Sequence, residues 1–177
     1  MARYVALLRG INLGPHRRMS MQDLRALLTD LGYTDVATLL QSGNAVFTSP
    51  RRQVDKVTAE VEQAIGDRLG MPVRCVLRTA AELAAVVEAN PFPQHAGEGA
   101  KLMVTFLSGP VDRSRLAGVD PADFAPDEFG VADREIYLWL PNGMSGSRIP
   151  VDFWDKHTGL VTTTRNWNTV TKLLAMA

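Results

Sequence analysis

Arg9, Gly10, Ile11 and Asn12 set a guanidinium, an open stretch of backbone and a carboxamide in consecutive positions. Those groups suit a phosphate or carboxylate, which a guanidinium grips through paired N–H donors and a helix start through its free amides. Arg17 and Arg18, in the loop that follows, add positive charge. A purely structural account stands beside the chemical one: Arg9 pairs with an acidic neighbour and Gly10 only permits a turn. Neither the Walker nor the dinucleotide-binding glycine pattern occurs, so the stretch carries no nucleotide fingerprint.

Two further stretches carry polar groups of the same kind. Gln41-Ser42-Gly43-Asn44 reads first as a hairpin turn and second as a source of hydroxyl and amide groups. Ser42 as a nucleophile has no general base assigned beside it and no GxSxG context. Thr162 to Thr169 is the most unusual local composition, three threonines followed by Arg165, Asn166, Trp167 and Asn168. It reads as the capped start of a C-terminal helix, or as a second anion or amide-recognition patch. His16, His95 and His157 are widely spaced and show no zinc-binding pattern, so no metal and no cofactor is expected. Cys75 falls in an apolar run and reads as an inert thiol, and Trp139 and Trp154 as core residues. No residue is assigned a catalytic role.

The elements that position these groups follow from periodicity. Tyr4 to Leu8 is a continuous apolar run, the mark of a strand covered on both faces. Ser20 with Asp23 opens a helix whose Leu24, Leu27, Leu28 and Leu31 form one stripe, closed by Gly32. Val36–Leu40 and Ala45–Thr48 are short strands around the Gln41–Asn44 turn. Ser49-Pro50 is expected to open a second helix along Val54, Val57, Val61, Ile65 and Leu69, stopped by Gly70 and Pro72. Val73–Leu77 completes the order β-α-β-β-α-β, a ferredoxin-like plait. In that topology the first and third strands are antiparallel neighbours, so Arg9–Asn12 and Ser42–Asn44 share one sheet edge.

The second half is less regular. Thr79 and Glu82 make a capping box before Leu83, Val86 and Val87. Leu102–Leu107 and Ile136–Leu140 read as strands, the latter paired with Phe129–Val131. Val151–His157 and 166–176 read as helices, the last burying Trp167, Val170 and Leu174. The fold class expected is α+β: a plait over residues 1–78, then a second, degenerate plait-like module over residues 79–177.

Composition is that of an ordinary globular chain, with 46% hydrophobic and 21% charged residues. No apolar run approaches the roughly 20 residues of a membrane span. The absence of a leader pattern and the single cysteine fit a reducing cytoplasm. Zero net charge conceals a basic first half (11 Lys+Arg, 7 Asp+Glu) and an acidic second half (8 and 12). That split is read as scattered surface charge, as mutual attraction of the halves, or as a basic face for an anion. Neutrality overall, and the lack of the basic-aromatic strand pattern of RNA-binding plaits, disfavour nucleic acid as a partner.

Four ordered motifs extend this reading: Tyr4 to Asn12; Met21 with Leu24-Arg25; Gln41 to Phe47; and Asn90-Pro91-Phe92 with Thr164 to Val170. Together they resemble the domain of unknown function 1697 family along nearly the whole chain. The resemblance implies two alpha-beta plait modules in a small bacterial protein, and no activity. The chain departs from the family where Leu13-Gly14-Pro15 follows Asn12, since proline fixes φ and removes a donor. The functional expectation is one pocket for a small anionic or polar ligand. Arg9, Asn12, Ser42 and Asn44 would line it, with Arg165, Asn166 and Asn168 approaching from the C-terminal helix. The alternative is an interaction module in which these motifs are structural.

Overall fold

A computed structural model describes residues 1–15 and 18–177. His16 and Arg17, expected in the basic loop, lie outside the described residues.

The opening apolar run forms β1 (Ala2–Leu8), in which Tyr4 to Leu8 are all buried. It has antiparallel neighbours on both edges: β3 (Asn44–Ser49) and β4 (Cys75–Thr79). With β2 (Thr34–Leu39) outside β3, the sheet runs β2-β3-β1-β4, the strand order of a ferredoxin-like plait. Tyr4, Ala6 and Leu8 pack with Leu24 and Leu28 of α1 (Met21–Asp30) and with Val57, Val61 and Ile65 of α2 (Val54–Leu69). Each such aliphatic burial contributes roughly 1.5–3 kcal/mol, which fixes both helices on this face. The alternate residues Val5, Leu7, Val46 and Val76 are buried as well.

The helix ends follow the capping rules. Ser20 Oγ accepts from the Asp23 N–H at 2.9 Å and donates to Asp23 Oδ2 at 2.7 Å. Gly32 and Gly70 take left-handed backbone at φ 83° and 67°, closing α1 and α2. The start of α2 departs from expectation. Ser49 continues the ladder opposite Ala2, and its hydroxyl accepts from the Arg51 N–H at 3.1 Å. The helix therefore begins at Val54 rather than at Ser49-Pro50.

The chain divides into two units, Met1–Ala85 with Lys172–Ala177, and Val86–Thr171. The second contains β5 (Leu102–Leu107), β6 (Glu128–Val131), β7 (Glu135–Trp139) and β8 (Thr162–Asn166) in the order β6-β7-β5-β8. Position for position this is the first sheet's order again. Its connections are reduced: two 3-10 turns, Arg113–Leu116 and Pro121–Phe124, separate β5 from β6. Between β7 and β8 only one short α-helix remains, α4 (Phe153–Thr158). A cluster of Met103, Leu107, Ile136, Leu138, Phe153 and Trp154 forms its core.

α3 (Ala80–Glu88) follows β4 through the capping box, with Glu82 Oε2 accepting from the Thr79 N–H at 2.7 Å. α5 (Trp167–Met176) follows β8. Thr162–Thr164 prove to be strand rather than helix cap. β-branched threonines favour extended backbone, and Thr164 pairs with Thr105, their hydroxyl oxygens 2.8 Å apart. The buried stripe of α5 is Trp167, Val170 and Leu173, so Leu174 is displaced from the core position expected of it. No helix among the described residues is long and apolar enough to cross a membrane.

Candidate functional site

In the first unit the two expected loops do meet. Leu8 N–H donates to the Gly43 carbonyl at 2.8 Å, and Arg9 N–H to the Arg74 carbonyl at 2.9 Å. Gly43 is demanded twice over. Its φ is 83°, and a Cβ there would lie 2.6 Å from Ile11 Cδ1 and 2.9 Å from Leu8 Cβ. Asn12, also left-handed at φ 56°, joins three segments. Its Nδ2 donates to the Met19 carbonyl at 3.0 Å and to the Gln41 carbonyl at 2.6 Å, while its Oδ1 accepts from Met19 N–H at 3.0 Å.

That clamp frames a concavity of about 390 Å³ lined by Asn12, Gly14, Arg18, Met19, Ser20 and Gln41. Arg18 is exposed and donates from Nε to the Gly14 carbonyl at 3.3 Å. Ser20 is the cap of α1, whose first turn opens here. Arg9 is half-buried at the end of β1 and Ser42 is exposed in the turn. Asn44 differs from both: it is wholly buried, and its Nδ2 donates to the Leu39 carbonyl at 2.7 Å and to Ser42 Oγ at 3.1 Å. The side chain of Asn44 therefore ties the hairpin together.

The remaining three expected residues belong to the second unit. Arg165, half-buried in β8, donates from NH1 to Thr163 Oγ1 at 2.7 Å and to the Thr164 carbonyl at 2.9 Å. Burial pulls its guanidinium down to a pKa of about 10, since desolvation disfavours the charged form. Asn166 caps α5, its Oδ1 accepting from Thr169 N–H and Thr169 Oγ1, both at 2.9 Å. Asn168 is exposed on the first turn, where its N–H donates to the Gly99 carbonyl at 3.4 Å. A Cβ on Gly99 would come within 2.2 Å of Asn168 Oδ1. Asn168 and residues 97–101 line a smaller concavity of about 250 Å³.

Some residues matter in ways the sequence did not single out. Met19 lines the first concavity together with Gln41 and Ser20, which were read as turn and helix cap, and Gln41 and Met19 take part through their backbone, which composition does not advertise. Arg78 is a side chain only 1% exposed in β4, donating from NH1 to the Leu77 carbonyl at 2.9 Å. A charged residue at the end of the apolar run Val76-Leu77 was the available signal. Arg78 lies opposite Val5 in one sheet and Arg165 opposite Val104 in the other, the same place in the repeated order.

The other candidates behave as framework. His95 stacks on Trp139 with ring centroids 3.7 Å apart, and His157 Nδ1 lies 2.8 Å from the Phe153 carbonyl. Burial raises the Cys75 thiol well above its ordinary value, so it stays a neutral core group. No group of three or more potential metal ligands occurs among the described residues.

The two units also repeat the backbone crossing at the end of their central strands. Leu107 N–H donates to the Arg134 carbonyl at 3.0 Å and Ser108 N–H to the Val161 carbonyl at 2.9 Å. These match the Leu8–Gly43 and Arg9–Arg74 bonds of the first unit. The second unit builds the crossing with Ser108, Gly109 and Pro110 where the first has Arg9, Gly10 and Ile11.

No curated protein matches the chain. Among solved structures it resembles the conserved bacterial protein SP0830 from Streptococcus pneumoniae, with a TM-score of 0.77 and 22% identity. The match covers 99% of this chain and 98% of that one, and at this identity it speaks to the fold. Residues 1–137 match the family described as a protein of unknown function, DUF1697, and with that match over most of its length the chain belongs to the DUF1697 family.

Proposed function

We propose that the first unit of this protein binds a small anionic or polar ligand in the concavity framed by Asn12, Arg18, Ser20 and Gln41, and that it does so in the cytoplasm. The observation that carries the reading is the internal comparison. The same backbone crossing is made in the second unit with Ser108 and Val111 where the first has Arg9 and Asn12, and there the two loops are joined by backbone alone, Val111 N–H donating to the Asp133 carbonyl at 2.7 Å. The sheet edge therefore does not require Arg9 and Asn12, and their types are accounted for by what they hold in place.

Arg18 supplies the guanidinium at the rim, Arg9 adds positive potential at the strand end, and the opening turn of α1 favours negative charge. Asn12 and Asn44 act as positioning residues, because their amides are engaged within the loops. Ser42 contributes an exposed hydroxyl. Arg165, Asn166 and Asn168 form a second polar patch within their own unit. Such groups bind and stabilise charge; they favour electrostatic stabilisation over covalent chemistry if a reaction takes place.

A thermal-shift screen of nucleotides, phosphorylated metabolites and carboxylates tests the proposal. A ligand at 100 times its Kd should stabilise the protein by about 2.7 kcal/mol. That stabilisation is expected to vanish in Arg18→Ala and to weaken in Arg9→Ala. Silence across the library from folded wild-type protein would refute the binding reading.

A further inference from the structure

We infer that the ligand of this concavity is an anion bearing an apolar substituent, with Leu13 and Leu40 as the residues that select it; the inference rests on the ligand-binding reading above. Five large apolar side chains are exposed among the described residues, and two of them, Leu13 at 81% and Leu40 at 56%, flank the same hydrogen bond. That bond runs from Asn12 Nδ2 to the Gln41 carbonyl, so each leucine is the chain neighbour of one partner.

Leu40 is opposed by both terms that ordinarily choose a residue. Its backbone is left-handed at φ 61°, a conformation that costs an L side chain steric strain and that glycine or asparagine adopts more readily. Its side chain gains little burial in return. Folding alone therefore favours another residue at this position. A leucine that neither packs nor suits its backbone is explained by a surface completed by something else, as strained residues at functional sites often are.

What completes it follows from its surroundings. The leucines are chain neighbours of residues that line the concavity, whose wall combines the Arg18 guanidinium and the polar Asn12, Ser20 and Gln41 with the apolar Met19. Asn12, Gly14 and Arg18 lie on the same loop as Leu13, and Gln41 follows Leu40 directly. An oxyanion met by arginine and an alkyl or aryl group laid over the leucines would use both parts at once. An inorganic anion alone would leave Leu13 and Leu40 unused.

Titration calorimetry on the intact chain with methyl, butyl and hexyl phosphate, and with acetate, pentanoate and heptanoate, gives the gain in affinity per methylene. In at least one series affinity should rise roughly two- to fourfold per added methylene, the range for partial to full burial of each group. The longest member should then bind at least about tenfold more tightly than the shortest. In L13S/L40N that ratio should fall to about one while far-UV circular dichroism is unchanged. L13S alone, at the more exposed position, takes the place of the double variant should that one not fold. Affinity independent of chain length in both series overturns the inference and leaves the anion site standing. A chain-length dependence that survives in the variants also overturns it, because the apolar contact is then elsewhere. No binding by any member, methyl phosphate and acetate included, removes the ligand reading as well.

Discussion

Replacing Asn12 tests whether one side chain holds the site open. Its carboxamide makes three hydrogen bonds, two as donor to the Met19 and Gln41 carbonyls and one as acceptor from Met19 N–H. At about 0.5–1.5 kcal/mol net for each such bond, Asn12→Ala should lose roughly 1.5–4.5 kcal/mol. Alanine must also hold φ near 56°, which adds about 1 kcal/mol. Asn12→Gly loses the same bonds without that strain and should be the less destabilised of the two. All three tryptophans, Trp139, Trp154 and Trp167, belong to the second unit, so their fluorescence is the wrong probe. Urea unfolding followed by far-UV circular dichroism, with hydrogen exchange at the Met19 amide, reads the first unit directly. Met19 protection should fall in both variants, because its acceptor is gone. Stability within about 0.5 kcal/mol of wild type, with Met19 still protected, would show that the clamp does not hold the loops together.

Gly43→Ala should destabilise the first unit by about 2–5 kcal/mol, the sum of left-handed strain and a forced contact with Ile11 and Leu8. Urea midpoints measure it, and an unchanged midpoint would mean the turn can be remade without glycine. Asp23 gives a pH signature. Hydrogen bonding from Ser20, and then from Arg68, holds its carboxyl below the usual range. A depressed folded value stabilises above the unfolded pKa of about 3.9 and is lost as pH falls through the folded one. Wild type should therefore exceed Asp23→Asn in stability at neutral pH, with the gap closing below about pH 4. A gap that stays constant on acidification would rule out this assignment.

The first plait was legible because its signals are local and periodic. Leu24, Leu27 and Leu28 mark one helix face and are buried on it together with Met21, while Leu31, the last of the expected stripe, is the cap and only partly buried; the Ser20–Asp23 cap forms as its spacing implies. The meeting of the Arg9–Asn12 and Gln41–Asn44 loops followed from topology alone, since the first and third strands of a plait are neighbours. What stayed hidden depends on competition for the same groups. Ser49 was free on paper to cap a helix, but the β1 ladder claimed it. Thr162–Thr164 satisfy a capping reading and a strand reading equally until β5 supplies a partner. Asn44 was expected at the site for its place beside the Arg9–Asn12 loop, and the demand its amide meets, the Leu39 carbonyl within the hairpin, exists only once the strands are paired. Hydrogen-bond demand created by the fold cannot be counted along a sequence.

The repeated order of the two sheets separates what the fold needs from what it carries. At the end of each central strand the same pair of backbone bonds forms, Leu8 to Gly43 and Arg9 to Arg74 in one unit, Leu107 to Arg134 and Ser108 to Val161 in the other. At the end of β4 and of β8 an arginine lies opposite a central-strand valine, and the next residue caps a helix. Arg78 and Arg165 thus recur with the architecture, which argues for a role in how each plait closes its strand-to-helix junction. Arg9 and Asn12 do not recur, since Ser108 and Val111 stand in their places along the second crossing; none of the second unit's non-glycine residues takes the positive φ of Leu40, and the helix that should follow the crossing is reduced to 3-10 turns. A feature found in both units is explained by the plait. One found in a single unit, against its own backbone preference in the case of Leu40, needs a different cause, and a ligand that meets arginine at one end and leucine at the other supplies it.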